Sequence, residues 1–513
     1  MFTTTWKFRT NFTMKWKTDL PSIGRNYSFA LLLLLLFAAH LPFLNADPDL
    51  NISFSRDAFT DEGLNTIQIR NWINHGHLDL SECDNLLKTP LLGFPLALTY
   101  KIFGTSHLAS RLHVLVLLLL ALWIISRDNL HRGFLLIFAG ICLLQYQVFQ
   151  YSHFSLAEML SSAAILLAIH FLSASADAGK SPPVRIRNAI LSGTFISLAY
   201  YFKIQFIYMV GLIPLVLLFY ILVYKPHPRR IVVIEAISAS ATLLIFLLLY
   251  YFVWYLPNRS IYNFMMANQS GEFSISIRSL DYLGFNLKHF FLTGWMLAFV
   301  IAFGCCIIAG IYLLYKPGHS TRFPILFLSS LLWIMLESHK LLMVYLPTRY
   351  RVSLYVAIGL MISIVLDEAL RNRNIFQKVI KYRSIKLLAF SIIGILLFIN
   401  VFNYISTLSR RSFVIRDTNI LLAKTVKPEE TVLGAWAPSL TWDCKAMALP
   451  VWNNFLHYKD PITNYKPRVV IAESDEQDSE QAYKSQSINL FAASENTKTV
   501  RIGQWEVRIY FLK

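Results

Sequence analysis

Apolar residues fall along this chain in long unbroken runs rather than in alternating or short periodic patterns, at positions 27–44, 107–126, 133–149, 154–172, 204–224, 231–254, 290–315 and 387–405. Runs of this kind match the roughly 17–25 residues that a helix needs to cross a bilayer. Weaker runs occupy 188–202, 323–336 and 352–366, so the pattern predicts a polytopic helical protein with about eleven crossings. Position 406 marks a change. Residues 407–513 lose the long apolar runs, and shorter patterns take over: helical spacing over 417–425, strand-like runs at 431–436 and 468–472, and a hairpin of 497–502 and 505–511 joined by Gly503 and Gln504. The expected organisation is a membrane core of residues 1–406 and a small soluble α/β domain of residues 407–513.

Composition agrees with the pattern. Hydrophobic residues make up 55% of the chain, and mean hydropathy is +0.49, above what a soluble chain of this length shows. The net charge of +17 would suggest nucleic acid in a soluble protein, but its placement gives a different meaning. Basic residues cluster at Lys7, Arg9, Lys15, Lys17 and Arg25; at Arg127 and Arg132; at Lys180, Arg185 and Arg187; at Lys225, Arg229 and Arg230; at Lys316 and Arg322; and from Arg371 to Lys386. Positively charged loops face the cytoplasm. The loops between them, 45–106, 150–153, 256–289 and 337–351, then face outward, with the N-terminus inside and the C-terminal domain outside. The first apolar run is too long for a signal peptide and lacks a small-x-small cleavage site, so it reads as a retained helix. The five cysteines show no metal-ligand spacing.

Candidate chemistry concentrates in the first outward loop. It carries Asp61, Glu62 and Gly63, an amphipathic segment over 64–74, then Lys88, Thr89 and Pro90, an apolar stretch over 91–100, Phe103 and Gly104, and Ala109 to Leu112 opening the next helix. A carboxylate can take a proton from a hydroxyl, and a lysine can hold a phosphate. Bland readings stand beside these: an N-terminal helix cap for the acidic pair and an ammonium snorkelling to the interface for the lysine.

This order of features resembles the membrane-integral GT-C glycosyltransferases, in particular the bacterial family related to protein O-mannosyltransferases and to the lipid A aminoarabinose transferase. The likeness spans roughly residues 27–370, with Leu87 standing where relatives carry a glutamate. The resemblance implies that Asp61 is the catalytic base, with Glu62 holding the acceptor or orienting the loop. It implies that Lys88, Lys203, and Arg349 with Tyr350 of the Leu346–Arg351 stretch bind the donor phosphate. His153 and Glu158 read as helix-packing residues and stay outside this set.

The expected reaction is transfer of a sugar from a polyprenyl phosphate carrier to an unknown acceptor, a lipid, a protein or a polysaccharide, on the outer face of a bacterial plasma membrane, with inversion at the anomeric carbon. The lipid phosphate is itself the leaving group, which fits the lack of a Gly-rich phosphate loop. No cofactor is expected. Lysine and arginine can do the work of a metal, although a divalent cation remains an alternative. No nucleic-acid partner is expected. The competing reading is a transporter or flippase of lipid-linked saccharides, which would need ionisable residues near mid-helix.

Overall fold

The computed structural model describes residues 22–128, 132–224, 229–269, 279–292, 294, 296–315, 319–371, 383–453, 455 and 457–513. The basic residues Lys7, Arg9, Lys15, Lys17, Lys225, Lys316, Lys378 and Lys381 lie outside that set. Among the described residues eight helices are long and apolar enough to cross a membrane: His107–Ser126, Ala157–Ser175, Ile204–Leu222, Arg229–Phe264, Met296–Leu314, Phe323–Leu342, Thr348–Arg371 and Ile393–Thr425. Three shorter apolar helices, Ser28–Phe43, Pro90–Phe103 and Gly133–Leu143, accompany them. The protein is a multi-pass membrane protein.

The weak run at 188–202 belongs to a helix of 21 residues, Pro182–Phe202, packed against Ala157–Ser175 on one side and Arg229–Leu249 on the other. Arg185 and Arg187 in its first turns keep it below the apolarity of the others. Burial sorts the helices into centre and rim. Over the most apolar 18 residues of each, 94% of the residues are buried in Ala157–Ser175 and 83% in Thr348–Arg371, against 28% in Met296–Leu314 and 22% in Arg229–Phe264, whose remaining apolar surface faces outward as lipid requires. The two central helices are the ones that bring side chains to the site described below.

At one end of the bundle sits a five-stranded sheet in the order β2-β1-β3-β5-β4. Its strands are β1 Thr431–Leu433, β2 Met447–Leu449, β3 Val469–Glu473, β4 Ser494–Ile502 and β5 Trp505–Leu512. Strand β1 runs parallel to β2 and β3, while β5 runs antiparallel to β3 and β4. The hairpin of β4 and β5 matches the sequence pattern, closed by Gly503 at φ +62. Strand β2 was not legible, because Met-Ala-Leu beside Pro450 offers no alternation to read.

The sheet is docked on the bundle through the first loop. Asp47 accepts hydrogen bonds from the backbone N–H of Val414 (2.7 Å) and of Ile415 (3.0 Å), tying down the start of the Val414–Thr425 helix, and another from Ser412 Oγ (2.8 Å). Arg56 reaches Glu473 (2.8 Å) and Asp478 (2.7 Å).

Candidate active site

The amphipathic segment expected over 64–74 is the second half of a longer helix, Asp57–His75. Asp61 and Glu62 therefore lie in its second turn, and the expectation of an N-terminal cap passes to the residues before it, with Asp57 as the acidic residue of the first turn. Residues four apart share a helix face, so Asp57 and Asp61 point the same way, towards the N-terminal end of the Thr348–Arg371 helix.

There Arg349 forms an ion pair with Asp61, and its Nε lies 4.0 Å from Asp57 Oδ2 and 3.9 Å from Glu158 Oε1. Glu158, in the first turn of Ala157–Ser175, also bonds Lys203 Nζ. Lys203 Nζ and the Arg349 guanidinium stand 5.2 and 5.0 Å from the centroid of the Tyr350 ring, and Gln205 Nε2 donates to Tyr350 Oη at 3.4 Å. Three carboxylates, two cations and a phenol thus meet beneath the Asp57–His75 helix. Glu158 Oε2, Tyr151 Oη and Ser155 Oγ are buried here with no hydrogen-bond partner.

Glu62 has a different environment from its neighbour. Arg111 Nε approaches its two oxygens at 2.9 and 3.2 Å, and Arg111 Nη2 also bonds Oε2. His107 Nε2 lies 3.2 Å from Oε2, and the backbone N–H of Ser155 donates to Oε1 at 2.7 Å. Burial raises the cost of its charge, but Arg111 and then His107 outweigh that and hold the Glu62 carboxyl well below its usual range. Arg111 Nη1 in turn donates to the carbonyls of Phe43 (2.9 Å) and Ala46 (2.6 Å). Removing one partner of such a buried pair costs roughly 3–5 kcal/mol, because the other charge is left stranded. Both oxygens of Glu62 are engaged, and the residue is 3% exposed.

The opposite face of the Asp57–His75 helix is covered by the sheet-bearing tail. Gly63 packs so tightly on the Ala437–Leu440 helix that a Cβ there would lie 2.5 Å from the Pro438 carbonyl carbon. Ser439 Oγ donates to the Thr60 carbonyl at 3.1 Å. Arg70 donates to the Pro438 carbonyl and lies 4.1 Å over the Trp442 ring, and Asn71 Nδ2 donates to the Ala448 carbonyl at 3.0 Å. The helix that carries Asp61 is therefore clamped between the membrane bundle and the tail.

No family model matches the sequence, and no curated protein matches it. Solved structures do. ArnT from Cupriavidus metallidurans bound to undecaprenyl phosphate superposes with a TM-score of 0.60 over 95% of this chain and 98% of that one, at 13% identity. Its apo form gives 0.61 at 14% identity, over 94% and 98%. The archaeal oligosaccharyltransferase AglB from Archaeoglobus fulgidus, in complex with an inhibitory peptide and a dolichol-phosphate, gives 0.51 at 11% identity, over 88% of this chain and 70% of that one. The chain has the GT-C fold.

Within this GT-C fold the sequence-level candidates divide. Asp61, Lys203, Arg349 and Tyr350 come together in one cluster. Lys88 ends the short Asn85–Lys88 helix and pairs with Asp84, one turn back. Leu87 beside it is buried, and its carbonyl accepts from Tyr262 Oη (2.5 Å) and Trp254 Nε1 (3.1 Å). An apolar side chain there packs against Tyr262, Trp254, Tyr255 and Ile261, so a hydrophobic contact occupies the position where the resemblance implied a glutamate. In the outward loop 256–289, Arg278 lies outside the described residues, while Tyr262 belongs to this contact. Cys83 and Cys444, both placed on the outward side by charge, are buried free thiols. No group of three or more His, Cys, Asp or Glu suited to a metal ion occurs among the described residues.

Sequence reasoning missed Asp57 and Glu158 as members of the cluster. Asp57 was submerged in an acidic, turn-rich stretch. Glu158 did carry a signal, being the one acid in the apolar stretch 154–172, and an ionisable group in such a place is costly without a partner or a purpose.

Proposed function

We propose that this protein is a glycosyltransferase that moves a sugar from a polyprenyl phosphate carrier to an acceptor hydroxyl, on the membrane face that bears the C-terminal sheet. The distribution of basic residues assigns that face to the outside. The observation that carries the reading is the Asp61–Arg349 pair, set beside Glu158 and Lys203 at the junction of the two central helices.

In the resting site the Asp61 carboxylate is engaged by Arg349. An incoming phosphate competes for the guanidinium, and its arrival frees Asp61 to accept the proton of the acceptor hydroxyl. As the bond between the anomeric carbon and the phosphate oxygen breaks, Arg349 and Lys203 stabilise the negative charge growing on the phosphate. Attack from the face opposite the phosphate inverts the anomeric centre. Donor then precedes acceptor, because the base is unmasked only by the phosphate.

The test uses purified protein with radiolabelled polyprenyl phosphate sugars and membrane extract as the source of acceptor. Asp61→Asn should retain donor binding and lose transfer by at least about 100-fold, as expected for removal of a general base. Undiminished transfer by this variant refutes the assignment. Movement of donor across vesicles with no glycosidic bond formed would identify a transporter.

A further inference from the structure

The outward loop 337–351 opens on Glu337 and Lys340, three residues apart after an apolar run, and the function proposed above uses neither. Both are buried, Glu337 at 0% exposure and Lys340 at 7%. Lys340 Nζ donates to Glu337 Oε2 at 2.7 Å. Glu337 Oε1 accepts from Tyr208 Oη (2.9 Å) and from Ser353 Oγ (2.8 Å). Trp333 Nε1 donates to Ser353 Oγ at 3.1 Å, which leaves the serine proton for the carboxylate. Lys340 Nζ also donates to the Tyr350 carbonyl (3.3 Å) and stands 4.7 and 5.4 Å from the ring centroids of Phe206 and Tyr208.

These partners stand a few residues from the two cations of the site. Phe206 and Tyr208 belong to the Ile204–Gly211 segment, which follows Lys203, and Tyr350 and Ser353 follow Arg349 in the first two turns of Thr348–Arg371. Neither cation is fixed by regular backbone around it. The Pro182–Phe202 helix ends just before Lys203, whose backbone is extended, and Arg349 is the second residue of its helix, where backbone N–H groups lack intrahelical partners. The Glu337 carboxylate ties the two segments together, and Lys340 neutralises it while gripping the first turn of the second. Stability alone does not call for such a pair, because apolar side chains of similar volume fill a buried place as well or better. Directional hydrogen bonds fix a spacing, which apolar contacts do not.

We propose that Glu337 and Lys340 are positioning residues that set the distance between Lys203 and Arg349, and so the fit of that cation pair to the phosphate that leaves during transfer. They act through Tyr208 and Ser353 and not on the substrate. The role rests on the transferase reading above.

Two double-mutant cycles, read as kcat at saturating donor in the radiolabelled assay, test this. Tyr208→Phe and Ser353→Ala each cut one tie and leave the charge pair in place, so both should keep a thermal unfolding midpoint close to that of wild type. Each should lower kcat about 10-fold, within the roughly 100-fold that a misplacement of about 1 Å costs. Lys203→Arg and Arg349→Lys keep the charge but change its reach, so they should retain slower transfer. Tyr208→Phe added to Lys203→Arg, and Ser353→Ala added to Arg349→Lys, should then lower kcat less than about twofold further, because the spacing that each tie protects is already lost. A merely structural tie would cost the same factor in both backgrounds. Additive losses in either cycle, or a kcat that neither single variant lowers, overturn the positioning role and leave the transferase reading intact. Should one tie variant fail to fold, the other cycle decides. Absence of transfer by wild type overturns both.

Discussion

Adjacent carboxylates at positions 61 and 62 end in different chemistry because consecutive helical side chains diverge by about 100°. Asp61 turns to Arg349 and the polar cluster, and Glu62 turns to Arg111 and His107. A third carboxylate in the same loop is tuned by burial. Glu82, 2% exposed, accepts a hydrogen bond from Asn71 (2.9 Å), and burial with the neighbouring Asp79 pushes its pKa up to about 7, against the Asn71 bond. The folded protein thus holds this proton more tightly than the unfolded chain does. Its stabilising contribution is full below the ordinary carboxyl pKa, declines as pH rises from there and is lost above about 7. Glu82→Gln should raise the thermal unfolding midpoint in detergent at about pH 8 and leave it nearly unchanged at about pH 4, with a difference on the order of 1–3 kcal/mol. Parallel pH profiles for the two proteins would disprove it.

At the scale of elements, the Asp57–His75 helix is the part on which the site depends. Its mean polarity gives it no affinity for lipid, and it is held by contacts on two faces. Gly63 is the tightest of these, and no side chain fits between it and Pro438 without backbone movement. Gly63→Ala should destabilise the docked tail by about 1–3 kcal/mol, as overpacking does, and it should show as faster proteolysis of residues 407–513 in detergent. A tail equally resistant in the variant would show that this contact does not hold it. Much of this element was visible as amphipathic spacing over 64–74, and its first two turns were not, because Asp57 to Gly63 reads as an acidic turn until Arg349 and the Ala437–Leu440 helix are brought against it. Of the two central helices beside it, Ala157–Ser175 was a strong apolar run and Thr348–Arg371 a weaker one. Thr348–Arg371 carries Arg349 and Arg351 in its first turn, and those charges interrupt the hydropathy that would otherwise announce a span.

At the scale of the molecule, a bundle with lipid-facing rim helices and two buried central ones carries a sheet at one end, docked over the site. The charge pattern leads to the expectation that this end faces outside. In sealed inside-out vesicles, added protease should therefore spare the 407–513 tail, and in right-side-out vesicles or spheroplasts it should remove it; the reverse result would invert the topology and move Asp61 to the cytoplasmic leaflet. The tail is also a structural partner of the site, since its Ala437–Leu440 helix and Trp442 back the helix that bears Asp61.

What the sequence alone determined is whatever depends on local composition. Apolar runs give the multi-pass helical class, charged loops give the expected orientation, and the ordered residues of the first loop suggested the fold that the solved structures then matched. Tertiary structure decided the pairing: that Asp61 meets Arg349 while Glu62 meets Arg111, and that Glu158 and Asp57 join the cluster. The reason is electrostatic. The energy of a charge in a protein depends on its distance to other charges and to water, and residues some 290 positions apart in the chain have no distance until the helices pack.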